Sequence, residues 1–346
     1  MIRAAAGPGA ASLARADTVG EKRSLIRVGV AGLGHWGPNL ARNFAELADL
    51  AWLCDTDPAR AELGGRYPQA RWTDSFQDLL EDPELDAVVI ATPVPTHYTL
   101  AKQALEAGKH VLVEKPPAMR GEEMAELCRL AEAQSLVLMP GHLLLYHPGV
   151  QKLKELIDAG ELGEVLCVYG NRQNLGIIRS NENALWSLGV HDLSVILYLL
   201  DEEPEQAVAL GRDFLTEGVE DVVFCYLRFP SGKIAHMHLS WLDPHKMRKI
   251  TVVGTEKMAV FDDMELERKV TVYEKAPWRP SDRYGEWQTR TGNIFSPHIP
   301  SDEPLKLECR EFLRLVAGEG DRRKVAEDGA RVVRALDLLT RSLRGG

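Results

Sequence analysis

An apolar run, Ile26–Ala31 (IRVGVA), leads straight into Gly32-Leu33-Gly34-His35-Trp36-Gly37, and that turn opens the helix-patterned stretch PNLARNFAEL. No other feature limits the fold as tightly. A GxGxxG turn between a strand and a helix gives each glycine a task. Gly32 permits the tight turn, Gly34 lets a pyrophosphate approach the backbone, and Gly37 lets helix and strand pack closely. His35 and Trp36 fill the variable positions beside them. The helix then presents free N–H groups to the phosphates. Asp55 lies 18 positions after Gly37, at the end of a second apolar run, Ala51–Cys54. A carboxylate there accepts the ribose hydroxyls of NAD and repels the 2′-phosphate of NADP. Arg60, close by, keeps NADP open.

The pattern repeats. A weak strand around Arg71 and Trp72 precedes DAVVIATP (86–93), the helical THYTLAKQALEAG ending at Gly108, the strand HVLVEK (110–115), a helix GEEMAELCRLAEAQ and the strand LVLM (136–139). Nearly all-apolar strands alternating with helices predict a parallel sheet covered on both faces. Such sheets bind ligands beyond the carboxyl ends of their strands.

After about residue 148 the pattern changes. EVLCVYGNRQN, DVVFCYLRFP, KIAHMHLSWL, RKITVVG, KMAVFDD and KVTVYEK follow as β-rich segments joined by turns such as Pro230-Ser231-Gly232. They predict an antiparallel meander, and two helical patterns (304–317 and 323–342) close the chain. The fold class expected is an α/β Rossmann domain at 25–147, then an α+β domain at 148–342 with a large, open, predominantly antiparallel sheet. The last helix is free to pack back on the first domain. An exposed apolar sheet face is costly in water, so this one predicts a homodimer or homotetramer.

Composition narrows the partners. The net charge is −10 with no long basic run, which argues against nucleic acid and anionic membranes. Five scattered cysteines (Cys54, Cys128, Cys167, Cys225, Cys309) lack a CxxC pair, and read as free thiols of a reducing compartment. No apolar run is long enough to span a bilayer. Residues 1–24, rich in Ala, Gly and Ser, lack the apolar core of a secretory signal and read as a disordered extension. The expected location is the cytoplasm.

Within HVLVEKPPAM, an apolar strand ends in Glu114-Lys115, followed by Pro116 and Pro117. The prolines hold the backbone extended at the strand tip. An isolated Glu-Lys pair at such a place is ordinarily solvated. Its surroundings change that reading.

GLGHWG, ATPVPTHYTLAKQALEAGKHVLVEKP and LWSLGVHDLSVILYLL together resemble the Gfo/Idh/MocA oxidoreductases over residues 25 to 342. RQNLG and the tryptophan-histidine helix are similar to the branch acting on nucleotide-linked sugars, the UDP-N-acetylglucosaminuronate 3-dehydrogenases. The resemblance implies NAD(P) bound with its nicotinamide between the domains. It implies that Lys115 binds the substrate hydroxyl or carbonyl, that Glu114 contacts the nicotinamide ribose, and that His191 is a general acid/base. Thr92, Pro93 and His97 would flank the dinucleotide. Beside an oxidised nicotinamide, a partly buried Lys115 would favour its neutral form and could share a proton with a substrate oxygen while hydride leaves the same carbon.

The sequence departs from the family pattern at Ser187, where relatives often carry Asp four residues before the histidine. Serine holds no charge, and Asp192 is the alternative partner for His191. Ser187, His191 and Asp192 are taken with Lys115 as substrate-binding candidates. Arg172 and Asn174 join them, since an Arg fork suits a diphosphate or carboxylate. Tyr146, His147 and Asn183 are weaker pocket candidates. His236 and His238 alternate on one face, but two histidines without a third ligand predict no metal. Trp52, Trp72, Trp186 and Trp241 read as core or interface. The functional expectation is hydride transfer between NAD(P) and a secondary alcohol of a sugar or nucleotide-sugar, at C3. An inositol or other cyclic-alcohol dehydrogenase, and a non-catalytic NAD(P)-binding sensor, are the alternatives.

Overall fold

The computed structural model describes residues 25–176, 178–180, 182–278 and 286–345. The extension expected at 1–24 lies outside the described residues. Six strands build the first sheet: β1 (Arg27–Ala31), β2 (Asp49–Cys54), β3 (Arg71–Thr73), β4 (Ala87–Ile90), β5 (His110–Glu114) and β6 (Leu138–Gly141). Their order is β3-β2-β1-β4-β5-β6, and every pair is parallel. Helices α1 (Gly37–Leu47), α2 (Phe76–Glu81), α3 (His97–Glu106) and α4 (Gly121–Ala133) make the crossovers. Alternate residues of β4 and β5 face opposite layers, yet Val88, Val89, Leu112 and Val113 are all fully buried. That double coverage is why these strands read as unbroken apolar runs. The strand order reverses between β1 and β4, which opens a crevice at their carboxyl ends.

Helix α5 (Pro148–Asp158) leads to the second sheet. Its strands are β7 (Val165–Gln173), β8 (Gln206–Arg212), β9 (Val222–Arg228), β10 (Ile234–Ser240), β11 (Met247–Gly254), β12 (Met258–Asp262), β13 (Val270–Trp278) and β14 (Gln288–Phe295). The order is β14-β13-β12-β11-β7-β10-β9-β8. This corrects the expected simple meander, because β7 sits between β11 and β10 and pairs with β10 in parallel. Helix α6 (Val190–Leu200) is the cause. It carries the chain across one face after β7, so the next strands enter at the far edge and build back toward β7. Nine of its residues are buried, which explains its apolar composition all round.

Helices α7 (Pro304–Val316) and α8 (Arg322–Gly345) tie the two sheets together. Leu305, Cys309, Phe312 and Leu315 of α7 join the core beneath β1 and α1, and Phe312 meets Phe44 edge-on at 6.1 Å. On α8, Gly329 lies against Pro140 of β6, where a Cβ would come within 2.3 Å of the proline ring. Ser342 Oγ accepts from Ala209 N of β8 at 3.0 Å. Trp186 and Trp241 are buried, and Trp52 and Trp72 pack partly buried against the first sheet's core. All five cysteines are free thiols. No described helix is long and apolar enough to cross a membrane.

Candidate active site

The loops at the carboxyl ends of β1, β2, β4, β5 and β6 face the start of α6 and the end of β7 across one cleft of about 780 Å³. Gly32 has φ +90°, and a Cβ there would strike the Ala91 backbone at 2.5 Å. A Cβ on Gly37 would lie 1.8 Å from Gly32 O. Both glycines are therefore required by the protein's own packing. Gly34 is different, since a Cβ there meets nothing within 4 Å. It opens onto the cleft beside His35 and Trp36, at the N-terminal end of α1. A glycine with free space around it fits a site where a phosphate comes against the backbone.

That contrast yields a prediction. Gly34→Ala keeps the melting temperature of the parent but weakens NAD binding by at least about tenfold, read by calorimetric titration. Gly37→Ala loses thermal stability as well, because α1 must move away from the turn. Equal NAD affinity in Gly34→Ala and parent would remove the phosphate from this turn.

Asp55 follows β2 and lines the cleft. Its Oδ2 accepts from Leu33 N at 2.6 Å and its Oδ1 from Asp57 N at 2.9 Å. The carboxylate is thus locked to the glycine turn. Arg60 also lines the cleft, with its guanidinium 3.5 Å from Asp57. Thr92 and Pro93 follow β4 on the same wall. His97 is buried at the start of α3, with Nε2 2.7 Å from Thr92 O and Nδ1 2.8 Å from Pro116 O. Both partners are carbonyls, so both contacts are donated only by an imidazolium. Burial lowers the pKa of this ring, so a neutral His97 donates to one carbonyl at a time. It joins the β4 loop to the Lys115-Pro116 turn, whose peptide bond is cis.

Glu114 and Lys115 end β5 inside the cleft. Burial lifts the Glu114 carboxyl to about 7, against the pull of the Lys115 charge. Gly141 leaves room for it, since a Cβ there would touch the Glu114 carboxyl carbon at 3.3 Å. Burial lowers the Lys115 pKa, while Glu182 and Glu114 act to raise it. His191 reaches the cleft from the second α6 residue, and burial followed by the Lys115 charge holds it well below the ordinary histidine value. A neutral imidazole and an amine biased toward neutrality face one space from two domains. That pair can exchange a proton with a substrate oxygen placed between them.

The second sheet contributes Arg172, from the end of β7. Its Nε meets Asp192 Oδ1 at 2.7 Å, with both side chains buried. The structure thus corrects the pairing of Asp192 with His191. Adjacent residues on a helix diverge by about 100°, and Asp192 turns under the sheet to Arg172 instead. Gly170 exists for this pair, because a Cβ there would sit 2.7 Å from Asp192 Oδ2. Ser187 is buried in a wide π turn, Leu185–Gly189, and does not line the cleft. Asn174 also stays off the cleft wall; its amide closes over Gly176 just past the strand. His147 does line the cleft, and its Nδ1 accepts from Gly149 N at 3.0 Å to cap α5. Asn183 binds Glu220 at 2.6 Å and caps Trp186 N, and Tyr146 is not on the cleft wall.

Sequence reasoning passed over several residues. Glu182 and Arg179 line the cleft and pair at 2.9 Å. Arg248 and Asp263 line it and pair at 3.4 Å. Glu308 of α7 is fully buried with both oxygens unpartnered, and burial with the charge of Glu114 raises its pKa well above the carboxylate range. Arg179 and Glu182 left a trace in the sequence, as charges inside the short segment before the α6 histidine. His236 stacks on Tyr169 at 4.8 Å and His238 on Phe224 at 4.4 Å. Among the described residues no group of three or more His, Cys, Asp or Glu could hold a metal.

Comparison with known proteins agrees with this geometry. The Gfo/Idh/MocA profile, an oxidoreductase family with an NAD-binding Rossmann fold, matches residues 26–142, and the family's C-terminal domain matches 150–260. The chain is 31% identical to the UDP-N-acetylglucosamine 3-dehydrogenase of Acidithiobacillus ferrooxidans, over 68% of this chain and 74% of that protein. A solved structure of that dehydrogenase superposes with a TM-score of 0.80 at 26% identity, covering 92% of this chain and 98% of the other. The scyllo-inositol 2-dehydrogenase (NAD(+)) of Bacillus subtilis is 30% identical over 67% of this chain and 72% of its own length. The 2,7-anhydro-N-acetylneuraminate hydratase of Escherichia coli is 30% identical over 61% of this chain, and the match spans 60% of its length. The chain is an oxidoreductase of the Gfo/Idh/MocA family and carries that family's NAD-binding Rossmann fold.

Proposed function

We propose that this protein oxidises a secondary ring alcohol of a sugar, with nucleotide-linked sugars as the preferred class and C3 as the reacting carbon. NAD bound along the glycine turn would supply the hydride acceptor. The observation that carries the proposal is the sharing of one cleft by that turn, Lys115 and His191. The chain's residues do the rest. Asp55 holds the adenosine ribose, and Glu114 the ribose next to the reacting ring. Lys115 Nζ takes the hydroxyl proton as the C–H pair departs, and neutral His191 orients the same oxygen. Arg172, fixed by Asp192, supports an anionic diphosphate or carboxylate on the substrate. The similarity to the UDP-N-acetylglucosamine dehydrogenase supports the nucleotide-sugar class.

The test mixes purified protein with NAD or NADP and a panel of UDP-sugars, free sugars and inositols, followed at 340 nm, the absorbance of reduced nicotinamide. Reduction with a UDP-N-acetylhexosamine or UDP-uronate supports the proposal. Reduction only with free sugars or inositols removes the nucleotide-sugar assignment. Tight NAD binding without reduction of any kind points to a sensor.

We further propose that the open sheet face buries itself against another copy. Leu210 (64% exposed), Phe224 (54%), Tyr226 and Ile234 stand together on it. Burial of one such side chain is worth about 1.5–3 kcal/mol. Phe224→Asp should therefore weaken self-association by at least about tenfold, with NAD affinity retained. Sedimentation showing the same mass for parent and variant across dilution would reject this interface.

A further inference from the structure

Arg172, Arg179, Arg248 and Lys115 line the cleft, and three of these four cations have a carboxylate partner. Arg172 takes Asp192, Arg248 takes Asp263, and Arg179 Nε takes Glu182 Oε1 at 2.9 Å. Glu114 is the carboxyl that burial brings to about 7, so it is only a partial anion near neutrality. Two groups remain. Among the described residues no side chain lies within ion-pair distance of Lys115 Nζ. Glu182 is 7% exposed, and its Oε2 is buried with no partner. An unpaired oxygen on a buried carboxylate is unfavourable unless a positive charge stands near enough to offset it. Both groups line the same cleft.

We propose that Glu182 is the positioning carboxylate of Lys115: its unpaired oxygen is the counter-charge of the Lys115 ammonium and governs how readily Nζ takes and releases the substrate proton. This rests on the hydride-transfer reading above. In that reaction the O–H bond breaks with its proton passing to neutral Nζ. The C–H electron pair passes to oxidised nicotinamide, and the C=O bond forms. Nζ ends as an ammonium, and Glu182 stabilises that product state before the proton leaves to solvent.

The other charges around Lys115 act in a known direction. Arg179 and Arg172 disfavour the ammonium, and Glu114 favours it less than Glu182 does. His97, His142 and His191 face it from α3, the end of β6 and α6, and burial lowers the pKa of each, to about 4 for His142. Neutral rings leave the carboxylate of Glu182 as the main anionic influence. A nearby opposite charge moves a pKa by about 1–3 units.

The measurement is the pH dependence of trace acetic anhydride labelling at Lys115, read by mass spectrometry on the full chain saturated with NAD. Only the neutral amine reacts. Glu182→Gln should lower the labelling midpoint by about one pH unit, which makes labelling below the midpoint about tenfold faster. Glu182→Asp should keep the midpoint within a few tenths of the parent. Arg179→Gln removes a cation and should raise it, and this variant decides the matter if Glu182→Gln does not fold. An unmoved or raised midpoint in Glu182→Gln, or a lowered one in Arg179→Gln, overturns the proposal. Labelling needs no substrate, so it stands apart from the activity assay. Where a substrate is found, the acid limb of kcat/KM for oxidation should move to lower pH by the same amount in Glu182→Gln. Failure of every alcohol in the parent rejects the hydride-transfer reading, whatever the labelling shows.

Discussion

Lys115→Ala should lower kcat for alcohol oxidation by about 10²–10⁴-fold, the range that a positioned proton-transfer group contributes. NAD affinity should stay within about threefold of the parent. The reason for the split is geometric. The Gly32–Gly37 turn, Asp55 and the Thr92 loop, proposed to hold the dinucleotide, line the first sheet's side of the cleft, whereas Lys115 shares that cleft with His191 of the second domain. Removing the amine leaves a space at the reacting oxygen, with only the His191 imidazole, a base weakened by burial, beside it. The alanine variant also relieves a buried positive charge that lowers His191, so the imidazole becomes easier to protonate. That change compensates little, because burial, the larger cause, still holds the ring a weak base. Single-turnover absorbance with a bound alcohol, paired with calorimetric NAD titration, separates the two effects. Retained turnover would place the proton elsewhere, and lost NAD binding would place Lys115 in the cofactor's contacts.

The legibility of the fold follows burial. Strands β1, β4, β5 and β6 are buried on both faces, so their sequences carry almost no polar residue and the parallel sheet is readable. The edges are not. Seven of the eight β14 residues are exposed, and QTRTGNIF carries no apolar alternation, so nothing marks it as a strand. Strand β8, the other edge, has an apolar AVAL run but no alternation, and only one of its seven residues is buried. The parallel β7–β10 pair was unreadable for another reason: alternation reports which face a residue is on, never which neighbour its strand has.

The same division runs through the site. The glycine turn and Asp55 are local, within one strand-helix-strand unit, so spacing alone brings them together. Lys115 follows a strand of the first sheet and His191 stands on α6 of the second domain, so no spacing links them and only the family resemblance does. Asp192 was misplaced because its partner is chosen by tertiary packing. Neighbouring positions on a helix point apart, and the chain order that suggested His191 carried no information about Arg172. Glu182 was missed because a single acidic residue before a helix is ordinarily a solvated helix start.

Asp192→Ala should be among the most destabilising single substitutions here, by about 3–5 kcal/mol, because it leaves the largely buried Arg172 guanidinium without its counter-charge. Burial raises the Asp192 pKa even with Arg172 beside it, so the pair is held under strong desolvation and breaks badly when halved. Its other oxygen, Oδ2, has no partner, which makes the Arg172 contact its sole hydrogen bond among the described residues. Urea unfolding with an unchanged slope and a lower midpoint would report this directly. The informative companion is Arg172→Met with Asp192→Leu. An apolar pair of similar volume has no charge to desolvate, so most of the lost stability should return. Function should not return with it. Arg172 reaches the cleft wall as well as Asp192, so the double variant lacks the cation proposed to face the substrate's anionic group. KM for a charged sugar should remain raised by at least about tenfold while kcat changes less. A stable double variant with parental KM would make the Arg172–Asp192 pair a structural tie alone, and would move the substrate's anionic group to Arg179 or Arg248.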